Sequence, residues 1–132
     1  MDISPLAAIP GVHQAAVADD FGRLITCVGE GGAPSTAILV LAHATLAAAG
    51  DLGGRAGCGD CVEIIQQHEN GIIYLRGLPP RFLLLIRCQS VDVIPALRVA
   101  MQSLLPASET AGVRPASRVL DLSAALHADP AW

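Results

Sequence analysis

The fold of this chain is decided by residues 35–49, which read STAILVLAHATLAAA. Ser35 is a good helix N-cap and Gly50 follows the last alanine, so the stretch predicts a helix over Ser35–Ala49. At about 100° per residue, its aliphatic side chains fall on every side of the helix. No charged side chain interrupts them. A helix of this kind is normally buried all round.

In a domain of this size, a helix that lies on a sheet turns its outer side to solvent. Each large aliphatic side chain left in water forgoes about 1.5–3 kcal/mol, so a second copy of the chain is expected to cover that side. The alternative is that a C-terminal helix covers it within one chain. The predicted dimer interface consists of Ile38, Leu39, Leu41, Ala42 and Leu46 with the strand edge Val62, Glu63 and Ile64.

Strands are predicted on both sides of this helix. Short connections join most of them, so the sheet should be mostly antiparallel. Glu69-Asn70-Gly71 predicts a hairpin turn, because Asn-Gly tolerates positive φ at both positions, and the aliphatic run 82–86 predicts a central strand covered on both faces. The five predicted strands are Val12–Asp19, Arg23–Val28, Asp60–Gln67, Ile72–Arg76 and Phe82–Cys88.

Further helices complete the prediction. Residues 3–9 allow one or two turns, and Ile94, Leu97, Met101 and Leu104 line one face of a helix that Pro106 ends. The predicted fold class is α/β, with a five-stranded, mostly antiparallel sheet sandwiched between the long helix on one face and helices on the other. Residues 1–106 form the predicted domain, and residues 107–132 a linker and a short helix over Ser117–His127.

The segments Ile9–Val12, Ala15–Asp19 and Gly22–Ile25 resemble the signature that precedes the long helix in the Roadblock/LC7 family. The segment from Val62 through Asn70-Gly71 to Ile86 is similar to the family's three-strand meander. The resemblance runs from about Ile9 to Leu105. It departs from the family in its short first helix and in the Gly-rich connection after the long helix.

The resemblance implies a dimer in which the long helices pack together and the strands that follow them pair edge to edge. It also implies a non-catalytic scaffold, because bacterial members commonly regulate Ras-like small GTPases and eukaryotic relatives serve as dynein light chains. It supplies no catalytic, cofactor or metal residue. The Ser117–His127 helix is expected to replace cover that the short first helix lacks, so truncation at Pro106 should cause aggregation.

Charge and composition narrow the range of partners. The net charge of -4 argues against nucleic-acid binding, and every basic residue is arginine, which fits a GC-rich bacterial genome. No signal peptide or membrane span is predicted, so the chain is expected to be cytoplasmic. Arg76, Arg81 and Arg98, with Arg87, are expected to cluster as a docking patch for an acidic partner surface, or to serve solubility alone.

Candidate chemical groups have simpler interpretations. Cys58 and Cys61 form a CxxC without a second ligand pair at zinc spacing, so they are interpreted as plain thiols, with an intersubunit disulfide or shared metal as the alternative. His43 is expected in the core or interface, and Asp19 and Asp20 in a turn. The rival functions are a PAS- or GAF-like ligand sensor and, more weakly, a thiol or metal enzyme.

Overall fold

The computed structural model of the protein describes residues 2–104. Its five strands form one sheet in the order β2-β1-β5-β4-β3, and all four pairings are antiparallel. The predicted sheet is therefore confirmed. In chain order the elements are α1 (Ser4–Ala7), β1 (Val12–Asp19), β2 (Leu24–Gly29), α2 (Thr36–Arg55), β3 (Glu63–His68), β4 (Gly71–Leu78), β5 (Phe82–Cys88), a 3-10 turn (Val91–Val93) and α3 (Ile94–Leu104).

Helices cover both faces of the sheet, as predicted. On one face, α1 and α3 enclose a core that contains Leu6, Tyr74 and Leu97. On the other, α2 packs Leu39 and Ala42 against a smaller cluster from β1, β4 and β5. The run Leu83-Leu84-Leu85-Ile86 sends alternate side chains into the two cores and is buried throughout, which confirms the prediction for β5.

The long helix continues beyond its predicted end at Gly50. The Oγ of Ser35 accepts from the Ile38 N–H, as expected of the N-cap, but α2 runs on to Arg55. Gly57, with φ +78°, follows the last turn in the left-handed conformation that ends helices. Residues 51–55, predicted as a flexible connection, are therefore helical, and an Asp51–Arg55 ion pair at 3.2 Å joins one turn to the next.

A close approach explains one glycine inside the last turns. A Cβ at Gly53 would overlap the carbonyl oxygen of Gly59, and that loop folds back so that the Cys58 N–H donates to the Gly53 carbonyl at 2.8 Å. Gly53 therefore permits the return toward β3, a role that is not visible in a one-dimensional pattern.

Smaller differences concern the strand ends and one turn. β2 and β3 begin one and three residues later than predicted. In the β3–β4 hairpin, His68 pairs with Gly71, and Gly71 has a positive φ whereas Asn70 does not. The predicted hairpin turn is therefore confirmed, with residues 69 and 70 forming the turn and Gly71 beginning β4. The predicted end at Pro106 and the helix over Ser117–His127 lie outside the described residues.

Candidate functional site

The outer side of α2 exposes several large aliphatic side chains. Leu41 and Leu52 keep 66% and 67% of their surface accessible, and Ile38 and Val40 about half. Exposed alanines at positions 37, 44, 47 and 48 lie between them. This face, the α2 outer face, is apolar from the first turn of the helix to the last but one.

Two residues of the predicted interface do not lie on that face. Leu39 is 1% exposed and Ala42 is 7% exposed, because both pack against the chain's own sheet, and Leu46 packs against the same core in part. A second copy cannot cover side chains that are already buried. The prediction is therefore corrected for Leu39 and Ala42, while Ile38 and Leu41 are placed where a partner could reach them.

The long helix has the length and composition of a membrane span. Its place in the fold argues for another explanation. β2 precedes it and β3 follows it in the same sheet, and its His43 ring contacts the backbone carbonyl of Asp19 at the end of β1. This contact fits the expectation that His43 is a core or interface residue. The helix is thus anchored to the sheet along its buried side.

The second part of the predicted interface is an open sheet edge. β3 pairs with β4 on one side, and within residues 2–104 its other side has no strand beside it. Val62, just before the strand, is 54% exposed, while Glu63 and Ile64 are half-buried. An edge of this kind presents unpaired N–H and carbonyl groups to which another strand can pair.

Glu63 is the centre of a polar cluster that joins β3 to β4 and α3. Arg98 Nε donates to Glu63 Oε1 at 2.9 Å, the Tyr74 hydroxyl donates to Oε2 at 2.6 Å, and Arg76 lies 3.8 Å away. Burial favours the neutral acid, but the hydrogen bonds from Arg98 and Tyr74 outweigh it and hold the pKa of Glu63 below its usual value. Burial and the Glu63 contact raise the pKa of Tyr74 to about 12.

The four arginines expected to cluster do not form one patch. Arg76 and Arg98 meet at Glu63 on the α3 face, whereas Arg81 lies by Asp20, 3.7 Å from its carboxylate, at the strand ends. Arg87 projects on the α2 face, where its Nη2 donates to the Glu30 carbonyl at 3.3 Å. The prediction of a single patch was wrong, because alternate residues of neighbouring strands point to opposite faces of a sheet.

A cavity of about 470 Å³ opens between the start of α2 and the sheet. Its walls include the aliphatic side chains of Ile38, Ile73 and Leu85, and Gln14 and Arg87 also line it. Gln14 donates to the carbonyls of Glu30 and Gly32, which fixes the loop before α2. Sequence reasoning missed this feature because its walls come from β1, β4, β5, α2 and the loop before α2, which are far apart in the chain.

The other candidate groups have structural roles. Asp19 accepts from the backbone N–H groups of Phe21 and Arg23 at 2.9 Å, and these turn contacts, the Arg23 bond foremost, lower its pKa. Cys58 is exposed and Cys61 half-buried in the loop before β3. Among residues 2–104, no three metal-ligating side chains lie together. One copy of the chain therefore does not supply enough ligands for a metal at Cys58 and Cys61.

Neither a family model nor a curated protein matches this sequence. Solved structures do. MglB of Myxococcus xanthus is 17% identical, with a TM-score of 0.58 over 76% of this chain and 90% of that one. A Roadblock/LC7 domain from Streptomyces avermitilis is 13% identical, with a TM-score of 0.57 over 75% of this chain and 93% of that one. A structure described as MglB with tetrameric arrangement is 18% identical, with a TM-score of 0.52 over 58% and 60%.

The chain therefore has a Roadblock/LC7-like fold, as the resemblance implied. At these identities the similarity concerns the backbone architecture. Residue roles have to come from the geometry of this chain, above all from the α2 outer face and the open edge of β3.

Proposed function

We propose that this protein is a non-catalytic scaffold or regulator that forms a homodimer and binds a Ras-like small GTPase or a similar signalling protein. The α2 outer face is the observation that carries the proposal. A monomeric domain gains nothing by exposing Leu41 and Leu52, whereas a partner surface recovers the free energy of burying them. The GTPase is proposed from the implications of the Roadblock/LC7 resemblance.

The dimer brings two surfaces of each copy together. The α2 helices pack on each other, and the β3 strands pair edge to edge, so that two five-stranded sheets become one. Supporting this arrangement, the exposed face of α2 and the free edge of β3 belong to consecutive elements of the chain. One two-fold axis can satisfy both, because each surface then meets its own copy.

We propose no catalytic role. His43 is engaged with a backbone carbonyl and Asp19 with turn amides and Arg23, which leaves neither group placed to activate a nucleophile. We also propose a cytoplasmic, bacterial protein whose domain spans residues 1–106, followed by a linker and a helix that packs on the domain or on the partner. The net charge of -4 supports a protein partner rather than nucleic acid.

The dimer is tested by Leu41→Glu, with Thr36→Glu on the same helix as the matched control. We expect multi-angle light scattering to show a dimer for the wild type and for Thr36→Glu, and a folded monomer for Leu41→Glu. A charged group at position 41 would have to be buried without a partner, whereas Thr36 lies in the first turn, where an acidic residue is tolerated. A wild type that stays monomeric at high concentration contradicts the proposal.

The GTPase is tested by calorimetry with purified bacterial Ras-like GTPases loaded with GDP or a non-hydrolysable GTP analogue. We expect binding that depends on the nucleotide state. We propose that Arg76, Arg81 and Arg98 contact the partner, Arg81 at a point separate from Arg76 and Arg98, which both lie at Glu63. Arg81→Glu is the cleaner variant, because its side chain is 77% exposed and its ion pair is long. No binding by a dimeric wild type would refute the GTPase part.

A further inference from the structure

The turn between β1 and β2 is tightly hydrogen-bonded and presents an aromatic side chain to solvent. The Asp19 carboxylate accepts from the N–H groups of Phe21 and Arg23 at 2.9 Å, and from Arg23 Nε at 2.7 Å. The Asp19 carbonyl accepts from the Gly22 N–H and contacts the His43 ring. Phe21 is nevertheless 71% exposed. A partner that meets an aromatic on a fixed turn loses little conformational entropy in ordering it, which favours binding.

Further exposed apolar side chains lie next to this turn. Leu24 and Ile25 begin β2 and are 39% and 55% exposed. Val40 of α2 is 48% exposed and lies against the turn, because a Cβ at Gly22 would be 2.7 Å from its Cγ2. We call this surface the β2 patch, and it consists of Phe21, Leu24, Ile25 and Val40.

The β2 patch lies away from the strand edge proposed for the dimer. β2 and β3 are the two opposite edges of the sheet. Val40 borders the β1–β2 turn, whereas Ile38 lines the cavity with Ile73 of β4, so the two residues lie on different flanks of α2. A dimer that pairs β3 with β3 therefore leaves the β2 patch of each copy available to another protein.

The strand that carries the patch has an open edge. Within residues 2–104, β2 has β1 on one side and no strand on the other. The register of the two strands shifts at Ile25, which has no partner in β1. Such a bulge redirects a side chain, and Ile25 is exposed. An open edge can pair with an extended segment of another protein, whose alternate side chains then reach the patch.

The charges around the patch favour an acidic segment. Arg23 and Arg81 are 75% and 77% exposed, whereas the carboxylates that they meet, those of Asp19 and Asp20, are 11% and 37% exposed. Guanidinium groups are thus the more accessible charges at this end of β2, although the net charge of the chain is -4. A segment with carboxylates next to apolar side chains is complementary to this surface.

We propose that the β2 patch binds an extended, acidic segment of the partner protein, which adds one more strand to the sheet beside β2. Apolar side chains of that segment pack on Phe21 and Ile25, and its carboxylates face Arg23 and Arg81. This proposal deepens the proposed function: it rests on the partner contact at Arg81 and names the element that makes it.

Two labelled peptides test the surface by fluorescence anisotropy without the partner. EVEVTVE alternates carboxylates with apolar or small side chains, and KVKVTVK differs from it in charge. We expect the wild type to bind EVEVTVE about tenfold more tightly than KVKVTVK, and to bind an N-methylated EVEVTVE poorly, because N-methylation blocks strand pairing. Equal binding of EVEVTVE and either other peptide, or no binding of EVEVTVE by the folded wild type, overturns the proposal.

Phe21→Ser and Arg81→Glu test the residues, with Val99→Ser on α3 as the matched control. All three side chains are mostly exposed, so circular dichroism should show the wild-type fold. We expect Phe21→Ser to weaken EVEVTVE binding about tenfold, Arg81→Glu about fivefold and Val99→Ser not measurably. Phe21→Ser that binds EVEVTVE as tightly as the wild type overturns the β2 patch.

The same variants separate this proposal from the GTPase part of the proposed function. GTPase binding that is lost in Phe21→Ser and kept in Val99→Ser supports both. GTPase binding that Phe21→Ser and Arg81→Glu leave unchanged overturns docking at β2 and keeps the GTPase as partner. Binding of EVEVTVE without binding of any GTPase supports the β2 patch and refutes the GTPase.

Discussion

The two faces of the sheet differ in how far the chain covers itself. α3 buries Ile94, Leu97 and Met101 with 11 residues, whereas α2 buries Leu39 and Ala42 with 20. The shorter helix is amphipathic and its apolar stripe is used up within the chain. The longer helix exposes further apolar residues on the side away from the sheet. The apolar residues of α3 therefore stabilise the monomer, whereas the exposed apolar residues of α2 are available to a partner.

The charges differ between the faces in the same way. On the α3 face, Glu63 collects Arg98, Arg76 and the Tyr74 hydroxyl into one satisfied cluster. On the α2 face, Arg87 has a backbone carbonyl and no carboxylate among the described residues. The Glu63 cluster is thus paired within the chain, whereas the α2 face leaves Leu41 and Leu52 exposed and Arg87 without a carboxylate among residues 2–104.

The largest expected effect on stability is on the face of the sheet that α1 and α3 cover. Leu97→Ala should lower the free energy of unfolding by about 2–5 kcal/mol, because Leu97 is fully buried and its removal leaves a cavity. Val99 on the same helix is 66% exposed, so Val99→Ala should change the free energy of unfolding by less than about 0.5 kcal/mol. Urea denaturation of both variants measures the two values. Equal losses would show that α3 is not packed as described.

Two leucines of α2, Leu39 and Leu41, test which side of the helix packs on the sheet. Leu39→Ala should cost about 2–3 kcal/mol of monomer stability, because Leu39 lies under α2 against the sheet. Leu41→Ala should leave monomer stability within about 0.5 kcal/mol and weaken self-association instead. Denaturation below the dissociation constant and sedimentation above it separate the two effects. A reversed pattern would mean that α2 is rotated about its axis relative to the sheet.

The Glu63 cluster predicts a dependence of stability on acid. Because the folded-state pKa of Glu63 lies below its ordinary value of 4.5, its contribution is present above that pH and is lost as the pH falls through the folded pKa. Glu63→Gln should cost about 1–3 kcal/mol at pH 7 and less at pH 3. Denaturation at the two pH values checks this. A loss of unfolding free energy that is the same at both pH values would mean that the charge of Glu63 does not contribute to stability.

The smallest effect is expected at alkaline pH. The folded-state pKa of Tyr74 is about 12 against an ordinary 10.0, so the unfolded chain loses this proton first and stability should fall as the pH rises from 10 toward 12. The sequence has one tyrosine and no lysine, so the main other contributor among the described residues is the Cys88 thiol, whose pKa is raised by burial. Tyr74→Phe should cost about 1 kcal/mol at pH 7 and flatten this decline. If the loss of stability between pH 10 and 12 is the same in Tyr74→Phe as in the wild type, another group causes that loss.

Local patterns predicted most of the fold. Alternation located β1, the hairpin turn separated β3 from β4, and Ser35 marked the start of α2. The end of α2 was predicted too early because Gly50 looks like a C-cap, whereas Gly57 adopts the left-handed conformation. That error also concealed Leu52, which lies beyond Gly50 and is 67% exposed on the α2 outer face.

The candidate site could be predicted in kind but not in detail. An apolar helix without charges indicated that some surface of α2 needs a partner. Which side that is depends on the rotation of the helix over the sheet, and a helix that is apolar all round gives no periodic signal for it. Hence Leu39 and Ala42 were assigned to the interface although the sheet buries them.

The sequence by itself determined the elements, their order and the excess of aliphatic surface on α2, because these follow from local propensity and from the balance of apolar residues. The tertiary structure alone decided which leucines remain exposed, which arginines meet Glu63, and that Arg87 lines a largely apolar cavity. Those facts depend on residues far apart in the chain, brought together by strand pairing and by the facing of alternate side chains.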